Sequence, residues 1–361
     1  MNIYLISYGD FDYDGRLREL CKVFSSMGEL SCITRGSVGQ DPRHRIYRGN
    51  YPGFIAAALQ YGRRLGKIDL LVLDNRKAVL PGLLLRMMKK PGKMIQDCRE
   101  LYDIRNVHFV GKVGCIIEKW GINRADILIA ANRERAEIMK ETFRLSRIPV
   151  VYENLRQLEY SCEDARARQE SRFAPYIHDG EIRIVSSSGC SLSRGNDVLV
   201  KNLGRVDGKC RLFLVGAASA KERAAIEAIV AEQKLKNVEI FEQLNQDELK
   251  YLISVSHIGI VNYHQNDLNN KLCASGKVYE FMYEGIPVVT TTNPPLKRMC
   301  DEYRIGYADD GYCDGINRVV ADYDRYQADV RRFAAENPVD ANNVRLQQDL
   351  TELLHTLSAG T

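Results

Sequence analysis

"SGKVYEFMYEGIPVVTTTN", residues 275–293, is the stretch on which the reading of this chain turns. A serine, a glycine and a lysine open a run with helical spacing. Glu280 lies one turn in, and Gly-Ile-Pro ends the run directly before Val-Val-Thr-Thr. The pattern predicts a helix followed by a buried strand, which is half of an α/β repeat. Ser275 or Ala274 is placed to cap that helix, and Gly276 lets a ligand approach the backbone closely. First-turn N–H groups have no intrahelical partner and lie at the positive end of the helix, so such a terminus attracts anions. Lys277 adds a point charge suited to phosphate. The Glu280 carboxylate accepts two hydrogen bonds at once, which suits the vicinal hydroxyls of a ribose. The alternative is an ordinary crossover helix with a solvated Glu280.

Working outward, the same alternation recurs on both sides. "NIYLISYG" reads as a strand, "RLRELCKVFSSMG" as a helix ended by Gly28, and "LSCITRG" as the next strand, a β-loop-α-β opening. Helices "FIAAALQYGRRLG", "AVLPGLLLRMMKK", "KVGCIIEKWGINRA" and "RERAEIMKETF" alternate with strands "IDLLVLDN", "KMIQDCREL", "DILIAAN" and "PVVYENL". Residues 156–180 are polar and aperiodic, an interdomain connection with some helix. A second series then runs from "EIRIVSSSG" through "CRLFLVG", "NVEIFEQ" and "IGIVNY" to the opening stretch. After it come "PLKRMCDEYRIG" and "GINRVVADYDRYQADVRRFAAE" as helices and an amphipathic tail. The expectation is α/β, two Rossmann-like domains facing a cleft. Residues 1–157 form the first and 158–339 the second, with 340–361 returning to pack on the first.

The chain has 361 residues, enough for two domains with cores of their own. The N-terminus lacks the basic region and apolar run of a secretory signal. No window approaches the ~18 consecutive apolar residues of a membrane span. Ten cysteines are scattered singly, with no C-x-x-C, as expected of reduced thiols in a cytoplasmic protein. Charge is unevenly divided. Residues 1–150 carry 26 Lys and Arg against 16 Asp and Glu, while the remainder carries 25 against 31. A basic half suits an anionic substrate or membrane surface, and chance surface variation is the competing reading.

"KVYEFMYEGIPVVTT" resembles the C-terminal-domain signature of a large retaining glycosyltransferase family of the two-Rossmann GT-B fold, the fourth family in the usual classification. Glu280 and Gly285–Val289 match it. "DYDGRLREL" resembles the family's first helix and "RADILIAANRERAEIMKETF" its last helix pair before the hinge. The resemblance implies that Glu280 binds the nucleotide ribose and that the helix N-terminus holds the diphosphate. Gly276, Lys277, Val278, Tyr279 and Glu280 thus form one edge of the donor site. In "SSSGCSLSRGNDVLVK", Gly189 follows a strand, and Arg194 resembles the family's cation that neutralises the leaving diphosphate. The other reading makes Arg194 a surface residue. One departure is Leu272, where the family carries a second Glu against the donor sugar; Asp267 or Asn270 is the nearest substitute.

In "MIQDCRELYD", Asp97, Arg99 and Glu100 follow a strand, and Arg99 occupies the place of a family histidine. These three are the expected catalytic residues, with Asp97 or Glu100 as the base if the reaction inverts; an ion-paired loop is the alternative. Gly9, Asp14 and Arg16, at the end of the first strand and the start of the first helix, are the expected acceptor-binding residues. Asp12-Tyr13-Asp14 mimics a metal-binding Asp-x-Asp, but Asp322-Tyr323-Asp324 shows how readily that pattern arises by chance, and Asp14 suits a helix cap better. His108 and His264 read as structural, with His264 the stronger outside candidate. The helix in 82–94, with Leu83, Leu84, Met87 and Met88 beside Arg86, Lys89, Lys90 and Lys93, fits either a core or an anionic bilayer.

The leading expectation is therefore a transferase. It takes a nucleotide diphosphate sugar, UDP by default, and a glycan or lipid-diphosphate-linked acceptor in bacterial surface polysaccharide synthesis. No metal or cofactor and no nucleic acid partner is expected. The location is cytoplasmic, with peripheral attachment to the inner face of a membrane. A nucleotide-sugar 2-epimerase of the same fold and a non-catalytic sugar-nucleotide-binding subunit are the alternatives. A dehydrogenase would need G-x-G-x-x-G after the first strand, which "SYGDFDYDGR" does not supply.

Overall fold

The structure is a computed structural model that describes residues 1–37, 39, 41–274 and 276–359. It divides into two units, Met1–Asn154 with Val339–Thr361, and Leu155–Pro338.

The first unit is built on seven strands: β1 (Asn2–Asp10), β2 (Glu29–Arg35), β3 (His44–Tyr47), β4 (Leu70–Asp74), β5 (Lys93–Cys98), β6 (Ile127–Ala130) and β7 (Val150–Val151). They lie in the order β3-β2-β1-β4-β5-β6-β7, and every pairing is parallel. The central strands are buried along most of their length, with apolar runs that end in polar residues at the carboxyl edge, because helices cover both faces. The order reverses between β1 and β4, and ligands of such sheets bind outside the strand carboxyl ends at that point. There the register sets Ser7 beside Asp74, and Asp74 beside Asp97. One row across three strands therefore carries three buried polar side chains. The C-terminal helix Val339–Ala359 belongs to this unit. Its Leu346 and Leu350 join Leu17, Leu20 and Phe24 of the helix Gly15–Met27 in one core, as the amphipathic tail led us to expect.

The second unit has β8 (Ile182–Ser186), β9 (Cys210–Val215), β10 (Val238–Phe241), β11 (Ile258–Val261), β12 (Val288–Thr290) and β13 (Gly306–Ala308). They form a parallel sheet in the order β10-β9-β8-β11-β12-β13, with its reversal between β8 and β11. Ile184, Leu212, Ile258, Ile260 and Val289 pack against Leu199, Val200, Ile226 and Ile316 of its helices. The opening stretch is the helix Gly276–Tyr283 followed by β12. Ser275, one of the two expected caps, lies outside the described residues.

Some elements differ from the sequence reading. Strands β3 and β13 were not expected: each lies at a sheet edge, and HRIY and GYA hold no apolar run. The helix expected over 315–336 is two, Cys313–Ala321 and Tyr323–Glu336, broken at Asp322. The polar connection 156–180, read as carrying some helix, holds the helix Ala165–Phe173 as expected. In the stretch 82–94, Leu85 of the helix Arg76–Lys89 is wholly buried and Leu83 packs on the core, whereas Met87 and Met88 are exposed, so the helix has one face in the core and one turned outward.

Candidate functional site

Two polar clusters occupy the two sheet reversals. In the second unit, the loop after β8 begins with Ser187, Ser188 and Gly189. Gly189 has φ +59°, and a Cβ on it would stand 2.6 Å from the carbonyl oxygen of Gly216, so only glycine fits this turn. Asn196 locks the loop: its Nδ2 donates to the Gly189 carbonyl at 2.7 Å and to Ser188 Oγ at 3.0 Å. Its Oδ1 accepts from Asn262 Nδ2 at 2.9 Å, which ties the carboxyl ends of β8 and β11 together. The Ser187 hydroxyl is buried with no hydrogen-bond partner among the described residues.

Of the expected donor residues, Lys277 touches this loop, and the charges of Arg194 and Glu280 act on that lysine. Lys277 Nζ donates to the Ser187 carbonyl at 2.7 Å. Arg194 lies with its guanidinium 4.2 Å from the Tyr263 ring centroid and donates to Asn270 Oδ1 at 3.1 Å. Burial, and then the charge of Arg194, lower the Lys277 ammonium to about 8, while Glu280 works the other way. Two cations thus repel one another beside a helix N-terminus, and a diphosphate placed there would relieve the repulsion. Glu280 is only 4% exposed, and its Oε1 lies 3.0 Å from Arg156 Nε. Burial raises its carboxyl above the ordinary value; Arg156 and then Lys277 oppose that shift.

Not all of the expected donor set faces this site. Val278 and Tyr279 are wholly buried in the unit's interior, so their side chains hold the helix rather than a ligand. Gly276 starts the helix. Leu272 is buried as well. Of its two suggested substitutes, Asp267 caps the short helix Leu268–Lys271 by accepting the Asn270 N–H, and Asn270 engages Arg194. His264 Nε2 lies 3.4 Å from Asp267 Oδ2, and His108 precedes the helix Phe109–Ile122 without a side-chain cap bond.

The first unit carries a cavity of about 380 Å³ at its own reversal. Its lining includes Gly9, Asp14, Arg35, Asp74, Arg76, Lys77, Arg99 and Glu100. Here the geometry corrects three sequence assignments. Asp97 has no exposure and is gripped by Arg16, with Nε and Nη2 donating to its two oxygens at 2.9 and 2.8 Å, so it has no route to an acceptor hydroxyl. Arg16 is buried in the same pair and also donates to the Tyr152 carbonyl at 2.6 Å, so it does not bind an acceptor either. Arg99 is held among Asp14 at 2.5 Å, Asp74 at 2.7 Å and Asp97 at 3.4 Å. It serves as the counter-ion of three carboxylates and organises the cavity wall. Glu100 does line the cavity, accepting from Tyr102 Oη at 2.7 Å. Asp14 does cap the first helix, accepting the Leu17 N–H at 3.0 Å.

Four charged lining residues were missed from sequence. Burial pushes Asp74 up to about 6, with Arg99 opposing; its signal was a lone acid ending an otherwise apolar strand. Arg35, Arg76 and Lys77 supply positive charge. Arg35 and Lys77 stack on Tyr8, with 5.1 and 4.8 Å to the ring centroid, and Arg76 on Tyr102 at 4.1 Å. None of these three has a carboxylate within ion-pair distance among the described residues. Arg76 and Lys77 also occupy the first turn of the helix Arg76–Lys89, where the dipole disfavours cations. Among the described residues no cluster of His, Cys, Asp and Glu could hold a metal ion.

No protein-family profile matches the chain, and no curated protein sequence does. Solved structures do. Sucrose-phosphate synthase (tll1590) from Thermosynechococcus elongatus superposes with a TM-score of 0.73 at 17% identity, covering 100% of both chains. Anabaena Alr3699/HepE, solved with UDP and glucose, gives 0.71 at 13% identity over 98% of this chain and 100% of its own. A glycosyltransferase from Rickettsia africae ESF-5 gives 0.68 at 14% identity over 98% of each. Both sheets and their strand orders agree with what these similarities show: the chain has the GT-B fold, two Rossmann-like α/β domains.

Proposed function

We propose that this protein is a glycosyltransferase that takes its sugar from a nucleotide diphosphate sugar held by the second unit. The observation that carries the reading is the Arg194–Lys277 pair beside the Gly189 loop, with Glu280 one helical turn further on. The two cations receive the diphosphate, and the Glu280 carboxylate receives the ribose hydroxyls. As the bond from the sugar C1 to the diphosphate oxygen breaks, negative charge grows on the leaving group. Fixed cations in a water-poor site stabilise that charge more than they stabilise the bound donor. UDP is the nucleotide of choice, in keeping with the UDP bound in the HepE structure.

The acceptor falls to the cavity of the first unit. Arg35, Arg76 and Lys77, with no carboxylate in ion-pair distance among the described residues, favour an acceptor bearing phosphate, and a lipid-diphosphate-linked glycan of bacterial surface polysaccharide synthesis has that chemistry. Glu100, not Asp97, is the carboxylate we assign to binding and orienting the acceptor hydroxyl. Retention of anomeric configuration belongs to the same reading, with Asn270 standing where Leu272 cannot serve the donor sugar. The place of action is the cytoplasmic side of a membrane.

The test is nucleotide release from UDP- and GDP-sugars, with and without a lipid-diphosphate-linked saccharide. Acceptor-dependent UDP release, lowered about 10²-fold or more by Lys277→Ala, is the expected result. Sugar conversion without acceptor, or nucleotide binding with no turnover on any acceptor, would replace it with the epimerase or the binding-subunit reading.

A further inference from the structure

The helix Phe109–Ile122 is turned inside out. Its buried residues are Glu118, Gly121 and Ile122. At 100° per residue Gly111 and Gly114 fall on that same side. A Cβ on Gly121 would stand 2.4 Å from Gln96 Oε1 and 2.5 Å from Val79 Cγ1, so this small-residue face is the one pressed onto β5 and the helix Arg76–Lys89. The outward face holds the large apolar side chains. Phe109 is 80% exposed, Val110 82% and Trp120 55%, and Val113 and Ile116 are exposed beside them. Phe109, Val113, Ile116 and Trp120 recur at the spacing of one helical stripe.

The charges on the helix beside the stripe are cations. Lys112 and Lys119 lie along one edge of it, and Arg124 is exposed just beyond its C-terminal end, while Arg105 beyond the other end is paired with Asp103 at 2.6 Å. The only acid within the helix is Glu118, which is buried. Soluble chains seldom leave so large an apolar surface bare. An apolar helix face with a tryptophan at one end and only cations along its rim is the pattern that settles into the head-group layer of an anionic bilayer. A two-fold pairing of this face with its own copy would instead bring like charges together.

We propose that the first unit docks on anionic lipid bilayers through the outward face of the helix Phe109–Ile122, with Phe109, Val113, Ile116 and Trp120 inserted and Lys112 and Lys119 on the phosphates. This surface is not the 82–94 stretch considered from sequence. It is independent of the transferase reading, because a non-catalytic subunit would dock in the same way.

Trp120 is the only tryptophan in the chain, so intrinsic emission reports this face alone. The experiment adds vesicles of phosphatidylcholine alone, or of equimolar phosphatidylcholine and phosphatidylglycerol, to the full chain. Emission and co-sedimentation are followed, and UDP affinity is measured on the same samples. The expected result is a blue shift and co-sedimentation with the anionic vesicles. Val113→Glu/Ile116→Glu abolishes both, and Lys112→Glu/Lys119→Glu weakens binding by about tenfold or more. All four positions are exposed or on the exposed rim, so folding and UDP affinity stay as in the wild type. No shift and no co-sedimentation, or vesicle binding unchanged in both variants, overturns the proposal. So does a lipid-free dimer in which Trp120 is already shielded from acrylamide. Loss of UDP binding with vesicle docking intact would count against the transferase reading alone.

Discussion

Arg156 Nε stands 3.0 Å from Glu280 Oε1, at the carboxylate assigned to the ribose. Arg156 opens the polar connection that begins the second unit, and its side chain is about a third exposed while that of Glu280 is almost wholly buried. A ribose and this guanidinium compete for one acceptor. Arg156→Ala is therefore expected to lower the stability of the second unit by about 1–2 kcal/mol, since a buried carboxylate loses its partner, and to raise UDP affinity a few-fold. Glu280→Ala is expected to lower that affinity by about tenfold or more. Calorimetric titration with UDP checks both directions. A fall in affinity on removing Arg156 would show that the guanidinium belongs to the nucleotide site.

Lys277 predicts a pH dependence. Burial and the neighbouring Arg194 bring its ammonium down to about 8. Below that pH the site holds two positive charges, and as pH rises through about 8 the free protein loses one. Anion binding favours the charged form, so UDP affinity is expected to be level below about pH 8 and to fall above it. In Lys277→Met the affinity is lower throughout and the fall is absent. A wild-type profile that stays level from pH 7 to 9 would contradict the assignment.

Glu118 makes the inverted helix sensitive to pH. Burial lifts its carboxyl to about 7, with Arg76 pulling it down and Glu100 pushing it up. The folded state then binds more protons than the unfolded chain between about 4.5 and 7, so stability falls as pH rises through that window. Glu118→Gln, which cannot ionise, is expected to gain on the wild type across the same interval. The gain levels off above pH 7 at no more than about 3 kcal/mol. Urea denaturation at several pH values measures it, and parallel profiles would refute the prediction.

The Arg16–Asp97 pair separates structural carboxylates from working ones. Arg16→Leu is expected to cost about 3–5 kcal/mol, because breaking a buried pair strands its other charge. Glu100→Gln, at the cavity wall, is expected to change stability by less than about 1 kcal/mol while suppressing transfer to the acceptor. Urea midpoints beside turnover rates distinguish the two. A Glu100→Gln enzyme with full turnover would remove Glu100 from the chemistry.

The alternation of apolar runs with turn residues was enough to read the α/β class, the long helices and the central strands, because each such element carries its own period. Strands β3 (HRIY) and β13 (GYA) carry no apolar run, and they went unseen. The donor helix was legible because its anion-binding end, Lys277 and Glu280 lie within five residues of one another. Pairings across distance were not. Arg16 and Asp97 are 81 residues apart, and no local pattern distinguishes a carboxylate swallowed by an arginine from one facing a cavity. Orientation was equally hidden in the helix Phe109–Ile122. An apolar period tells which residues share a face, and only packing shows that here the glycines and a glutamate face inward.

The central claim is that Arg194 and Lys277 grip one diphosphate. Calorimetric titration of UDP and of uridine into the wild type and into Arg194→Ala/Lys277→Ala tests it most directly. The account predicts that the double variant melts as the wild type does, binds uridine unchanged and binds UDP at least about 10²-fold more weakly. Equal UDP affinity in the two proteins would contradict it.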